Sequence, residues 1–173
     1  RRQRQMCIRD STATSPTALQ EGLSRNMITF KSLVEMTPFE VHQLYKLRVD
    51  VFVAEQHCPY NEIDGQDADP DTRHILAFDR GALVGCARVF PTENGSRFGR
   101  FVAHPSHRGS GLGPDIVRAG IEYTERFPGD LIIEAQAGLV GYYSQFGFVA
   151  EGEEFLDTGV PHRVMRLTRG ARR

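Results

Sequence analysis

The 173-residue sequence predicts a mixed α/β fold. Three observations point there. Short apolar runs with a two-residue period recur between turn signals. Two segments carry helical spacing behind clear start signals. The elements read β-α-β-β-β-α-β-α-β-β, with strands and helices interleaved along the chain. No internal repeat is visible.

The elements follow in order. Met27–Leu33 alternates and reads as a first strand. Thr37-Pro38 starts a helix, because Thr accepts from free amides and Pro fits the first helical position. Val41, Leu44, Tyr45 and Phe52 recur at helical spacing, with Arg48 on the same stripe. A buried Arg needs a partner, and Glu55 is placed to be one. The alternative is that Arg48 snorkels from the stripe edge. Residues 57–71 form a loop rich in Pro, Gly, Asn and Asp. Glu55, Glu62, Asp64, Asp67, Asp69 and Asp71 read either as a solvated run or as an acidic lip for a cationic amine. Their spacing does not match a calcium loop.

His74–Phe78 and Leu83–Phe90 read as a hairpin around Asp79-Arg80-Gly81, and Arg97–His104 as the next strand after Asn94-Gly95. A helix is expected from Pro114 to Arg126, with Ile116, Val117, Gly120, Ile121 and Thr124 on one face, ended by Pro128-Gly129. Leu131–Gln136 reads as a buried strand and Leu139–Phe146 as a short helix closed by Gly147. Phe148–Glu151 and His162–Leu167 pair as the last two strands.

Composition narrows the function classes. Net charge is −1, and 40% of residues are apolar. That charge gives no global field for nucleic acid. No apolar run nears the ~20 residues that cross a bilayer, so a cytoplasmic protein is expected, with no membrane partner. Cys7, Cys58 and Cys86 are widely spaced and form no CxxC pair, and the six His form no zinc pattern. No metal is expected.

Residues 1–26 show neither helix nor strand period. An Arg- and Ser-rich stretch there resembles a transit leader, while residues 5–11 resemble the translated end of a transposon-type sequencing adapter. Residues 1–26 are therefore expected to lie outside the domain, the first ten or so as an assembly artefact, and residues 27–169 to form it. Residues 27–173 keep 16 basic and 20 acidic side chains, because residues 1–26 hold five Arg and two acids.

The segment with chemical content joins a predicted strand to a predicted helix: His104-Pro105-Ser106-His107-Arg108-Gly109-Ser110-Gly111-Leu112-Gly113. Its glycines let the backbone turn tightly and come close to a ligand. Amides then point inward at a helix N-terminus, where the dipole favours negative charge, and Arg108 adds a cation. That is a pyrophosphate cradle. There is no GxxxxGK[ST], and no clean GxGxxG follows the first strand, so neither a P-loop nor a dinucleotide fold is expected.

Read whole, Arg108-x-x-Gly111-x-Gly113 resembles the acetyl-CoA motif of the GNAT superfamily of N-acetyltransferases. About 30 residues on, Tyr143-Ser144-Gln145-Phe146-Gly147-Phe148 resembles that superfamily's Tyr-x-x-x-Gly-Phe element. Leu47-Arg48, Val51-Phe52-Val53, Glu55-Gln56, Cys58-Pro59-Tyr60 and Asp64-Gly65 resemble its ElaA-type branch. So do Arg73-His74, Gly99-Arg100, Ala135-Gln136-Ala137 and Gly159-x-Pro161-His162. The likeness runs from about Met27 to Leu167. Three positions depart from it. Thr158 stands where an acid is expected, Gln136 where Asn is usual, and Pro114 deletes one amide from the cradle.

The resemblance implies the GNAT acyl-CoA N-acyltransferase fold: a central, mostly antiparallel sheet whose two parallel central strands splay apart, with flanking helices. It implies acetyl-CoA as cosubstrate and a primary amine, small-molecule or peptide, as acceptor. The cofactor would lie against Phe101, Val102 and Ala103 and against Arg108, Gly109, Ser110, Gly111, Leu112 and Gly113. Tyr143 would protonate the leaving thiolate. Glu55, Glu134 and Gln136 would face the acceptor. The general base stays open among Glu134, Glu55, His74 and His104, or water. Cys58 and Cys86 would be packing residues, and a homodimer is compatible with the sequence. The rival reading is a non-catalytic acyl-CoA-binding or regulatory module on the same fold.

Overall fold

The computed structural model describes residues 27–57 and 61–170. The expectations for residues 1–26 and Cys58 lie outside these residues. Seven strands form one sheet: β1 (Met27–Lys31), β2 (Arg73–Asp79), β3 (Ala82–Thr92), β4 (Gly95–Ala103), β5 (Asp130–Gln136), β6 (Val149–Asp157) and β7 (Val160–Leu167). Their order is β1-β2-β3-β4-β5-β7-β6. Only β4 and β5 run parallel; every other neighbouring pair is antiparallel.

Helix α1 (Pro38–Arg48) lies on one face of the sheet and α2 (Leu112–Thr124) on the other; the short α3 (Val140–Ser144) follows β5. The alternation of β2 produces this arrangement. Leu76 joins Leu44, Leu47, Cys86 and Val102 under α1. Ile75 and Ala77 join Phe98, Ile116 and Val117 under α2. Burial pushes the Cys86 thiol up to about 12, so it packs as an unreactive apolar group.

Most element ends fall within two residues of expectation; the main exception is β6, expected to end at Glu151, which runs on to Asp157 because Phe155–Asp157 pair with Val160–His162 of β7. β1 stops at Lys31 because Ser32 begins a 3-10 turn, where its N–H donates to Glu35 at 2.7 Å. α1 has the expected capping box, with Thr37 N–H donating to Glu40 at 2.8 Å and Glu40 N–H to Thr37 at 3.2 Å. The expected stripe from Val41 to Phe52 does not lie on one regular helix: after Arg48, residues Val49–Glu55 continue as a π-helix. α2 begins at Leu112, so Pro114 is its third residue and not its first. That position still lies among the first amides, which have no intrahelical acceptor.

The two sequence readings of Arg48 both fail. It is 1% exposed, so it does not snorkel, and Glu55 is not its partner. The wider π-helical turn takes Glu55 off the Arg48 face. Arg48 instead donates to Glu62 and, at 2.8 Å, to Asp67. Arg88 donates to Asp64 at 2.5 Å and Asp67 at 2.9 Å, and Arg100 to Asp64 at 3.2 Å. The acidic segment is thus neither a solvated run nor a lip at these positions: Glu62 and Asp67 are buried counter-ions that pull loop 61–71 onto the sheet.

These acids titrate in opposite directions. Burial works to raise Asp67 and Asp64, but Arg48 and Arg88 outweigh it at Asp67, and Arg88 and Arg100 at Asp64, holding both below the ordinary 3.8. Their contribution is complete above that pH and is lost as pH falls through the depressed folded values. Burial wins at Glu62 and raises it despite Arg48 and Arg100, so its contribution is greatest at low pH and declines as pH rises past 4.5. Removing one buried partner strands the guanidinium it faces. Asp67→Asn should therefore cost about 3–5 kcal/mol in urea unfolding at neutral pH. The loss of stability below about pH 4 should shrink in the same variant. An unchanged midpoint would show that the cluster contributes little.

Candidate active site

The parallel strands β4 and β5 pair for three residues only: Gly95 with Asp130, Ser96 with Leu131 and Arg97 with Ile132. Beyond Arg97 they part. Three residues on, β4 bulges, where Arg100 and Phe101 together face Ala87 of β3. Arg100 has φ +51°, in the left-handed region that non-glycine residues rarely occupy. Its guanidinium is tied to Asn61 O, Glu62 O and Asp64, each at 3.2–3.3 Å. The buried acidic loop thus holds the bulge that opens the sheet.

A groove follows the gap between the parted strands, and its two sides differ. Ile133, Ala135 and Tyr143 belong to the core on the α2 side, with Phe101 packed against it. Ile132, Glu134 and Gln136 alternate to the opposite, α1 side and line the groove there. His162 is the cross-strand partner of Gln136, so it shares that side. Gln56, at the end of the π-helix, accepts from Gln136 at 3.1 Å.

At the α2 end, β4 runs into the glycine-rich loop. His104 caps a 3-10 turn, its Nδ1 accepting from Ser106 N–H at 3.3 Å. Gly111 is the N-cap of α2 at φ +93°, a conformation that a side chain disfavours. A Cβ on Gly113 would meet the Tyr142 hydroxyl at 3.2 Å and the Phe101 ring at 3.3 Å. Asp115 is the first residue whose N–H bonds within the helix, to Gly111 O at 3.2 Å. Among the described residues no partner is found for the N–H of Gly109, Gly111 or Gly113. Leu112 turns its side chain into the core and its N–H donates to the Ser110 hydroxyl at 3.4 Å; Ser110 gives its hydroxyl and its N–H to His107 O at 2.6 and 3.4 Å.

The structure gathers some of the expected site residues and disperses others. Phe101, Val102 and Ala103 lie on the free edge of β4, with the Val102 side chain turned to the α1 core. Arg108 stands beside the loop but already donates to Glu55 at 2.8 and 3.0 Å and to Ala103 O at 3.3 Å. The hydrogen bonds from Arg108 hold the Glu55 carboxyl below its usual value. Glu134 faces the groove and accepts from Arg97 at 2.6 Å. Tyr143 lines the groove, and burial raises its hydroxyl pKa, so the phenol stays protonated at neutral pH.

Two general-base candidates are ruled out by position. His74 is fully buried, with Nε2 against Asp67 O at 3.0 Å, and burial pushes its pKa down. His104 is spent on its cap and does not line the groove. In the sequence His162 stands only within the Gly159-x-Pro161-His162 likeness, which assigns it no role. Its meaning lies in a cross-strand neighbour 26 positions earlier in the chain. Among the described residues no group of three or more His, Cys, Asp or Glu could hold a metal, and no helix is long and apolar enough to cross a membrane.

Residues 37–169 match the family described as the acetyltransferase (GNAT) domain. The chain belongs to that GNAT family. Its relatives include a UPF0039 protein of Mycobacterium tuberculosis, 39% identical over 130 residues, or 72% of this chain and 82% of the relative. ElaA of Escherichia coli is 34% identical over 133 residues, covering 74% and 87%. The crystal structure of E. coli ElaA matches with a TM-score of 0.74 and 33% identity over 81% of this chain and 99% of that one. An acyl-CoA N-acyltransferase from Pseudomonas aeruginosa matches with a TM-score of 0.75 and 36% identity over 81% and 98%. The fold is therefore the GNAT acyl-CoA N-acyltransferase fold, and the parted β4 and β5 are the splayed strands the sequence led us to expect.

In this GNAT domain the loop makes a specific demand at Gly111. A Cβ there meets no atom within 4 Å, so the constraint is φ and not space. Gly111→Val should turn the amides away from their common focus. Its affinity for coenzyme A, measured by calorimetry on folded protein, should fall by at least about 1.4 kcal/mol, or tenfold. Unchanged affinity would remove the loop from the binding site.

Proposed function

We propose that the protein transfers an acetyl group from acetyl-CoA to a primary amine by direct attack, with no covalent enzyme intermediate. One observation supports this above the others. The edge of β4 that leaves β5 beyond Arg97 leads straight to the open amides of Gly109, Gly111 and Gly113 at the start of α2. An extended amide-bearing arm can add to that edge, while a pyrophosphate at its far end meets helix amides and dipole. The residues fit coenzyme A: Gly109, Gly111 and Gly113 would hold the phosphates, and Phe101–Ala103 the pantetheine arm.

Chemistry follows from the sidedness of the groove. The thioester lies with Tyr143 on the α2 side. The amine enters from the α1 side, past Glu134 and Gln136. A β4 amide near the bulge would polarise the thioester carbonyl as charge develops on its oxygen. The attacking nitrogen forms the C–N bond, the C–S bond breaks, and the Tyr143 hydroxyl protonates the leaving sulfur. Arg108 begins paired with Glu55, so phosphate competes with a carboxylate for that guanidinium.

Thiol release from acetyl-CoA, tested with polyamines, amino sugars and lysine peptides, checks the activity. Coenzyme A binding with no turnover on any amine would favour a non-catalytic acyl-CoA-binding module. Tyr143→Phe keeps the buried ring and removes only the hydroxyl. Its kcat should fall about 100-fold, with little change in KM for acetyl-CoA, since ground-state contacts remain. Full kcat in Tyr143→Phe alongside a loss in Tyr142→Phe would assign the role to the half-buried neighbour.

A further inference from the structure

We infer that His162 is the proton acceptor for the incoming amine. The inference rests on the acetyltransferase function proposed above and supplies the base that function lacks. Three observations carry it. His162 is 8% exposed and lines the same groove as Tyr143. It pairs across β5–β7 with Gln136, which puts it on the α1 side, opposite Tyr143 across the parted strands. Its Nδ1 lies 2.8 Å from Val160 O.

That contact decides the tautomer. A carbonyl oxygen can only accept, so Nδ1 carries the proton and Nε2 of the neutral ring carries a lone pair. Nε2 has no hydrogen-bond partner among the described residues, and it is not among the side-chain nitrogens sealed from solvent. It therefore opens to the groove as an acceptor. Phe155 holds the ring from the other side, with centroids 6.0 Å apart and planes tilted by 30°. The charged side chains lining the groove are Glu134, bound to Arg97, Asp157 on the β6–β7 hairpin, and Arg88 and Arg100, which are paired with Asp64, Asp67 and Glu62. Glu134 and Asp157 favour a cation beside them, first the substrate ammonium and then the imidazolium.

The protons balance. The ammonium gives one proton to His162 Nε2, which passes it to solvent. The freed lone pair forms the C–N bond to the thioester carbon. Collapse breaks the C–S bond, and the sulfur takes the Tyr143 proton. The second nitrogen proton, lost as the amide forms, restores Tyr143. Base and acid thus work from opposite faces of the sheet, through the gap between β4 and β5. The rival bases are less suitably placed: Glu55 is held by Arg108 and Glu134 by Arg97.

The test compares two acceptors on the full chain. Spermidine arrives protonated and needs a base; hydroxylamine is unprotonated at neutral pH and does not. In His162→Gln, kcat/KM should fall about 100-fold with spermidine and less than about threefold with hydroxylamine. Coenzyme A affinity should be unchanged, which also shows that the variant is folded. Equal losses with both acceptors, or no loss with either, would overturn the assignment. Nitrogen-15 NMR of the wild-type histidines gives a readout that needs no turnover. Adding spermidine to the coenzyme A-bound protein should shift His162 Nε2 and leave Nδ1 protonated. A silent Nε2 overturns the role of His162. Failure of both acceptors in the wild type, with a responding Nε2, would instead count against acetyl transfer while keeping His162 as the amine's proton partner.

Discussion

Beyond the Arg97–Ile132 pair, β4 and β5 no longer share hydrogen bonds, and the rest of the molecule is arranged around that break. An interrupted ladder inside a sheet is costly, because each backbone group without a partner must find water or a ligand. The break is maintained from outside the gap. A bulge at Arg100 bends β4, and its unfavourable φ is held by contacts to Asn61, Glu62 and Asp64. The same loop is anchored deeper by Arg48 and Arg88 through Glu62, Asp64 and Asp67. A charged cluster that stabilises little against an apolar core can still fix a geometry. Here it fixes the one place where the sheet stays open.

The opening also joins the two faces of the sheet. On the α2 side it meets the glycine-rich loop, Phe101 and Tyr143; on the α1 side it meets Gln56, Glu134, Gln136 and His162. Two reactants can thus approach from opposite faces without sharing an entrance. Membership of the GNAT family supplies the class of chemistry. The sidedness of this chain's residues supplies the proposed division of labour between acid and base.

Local signals were legible in the sequence. Thr37-Pro38 marks the start of α1, because capping acts over three or four residues. The strand–loop–helix around Gly109–Gly113 could be read because its glycines and the following helical period are contiguous. The phase of Glu134 with Gln136 follows from strand geometry alone. What could not be read depends on distant partners. Arg48 meets Glu62 and Asp67, 14 and 19 positions away across a loop, while the sequence offered the nearer Glu55. Glu55 in turn goes to Arg108, 53 positions on. The π-helical turn that separates them, Val49–Glu55, carries no glycine or proline to mark a break in the helix. His162 belongs to the local Gly159-x-Pro161-His162 pattern, but its place opposite Gln136 follows only from the β5–β7 register.

The central claim is that the free edge of β4 receives the arm of coenzyme A. Hydrogen–deuterium exchange of the backbone amides, with and without coenzyme A, tests it most directly. The account expects new protection at Phe101–Ala103 and at Gly109–Gly113, with the paired stretch at Gly95–Arg97 unchanged. Coenzyme A binding that protects the outer edges of the sheet and leaves Phe101–Ala103 exchanging as before would contradict it.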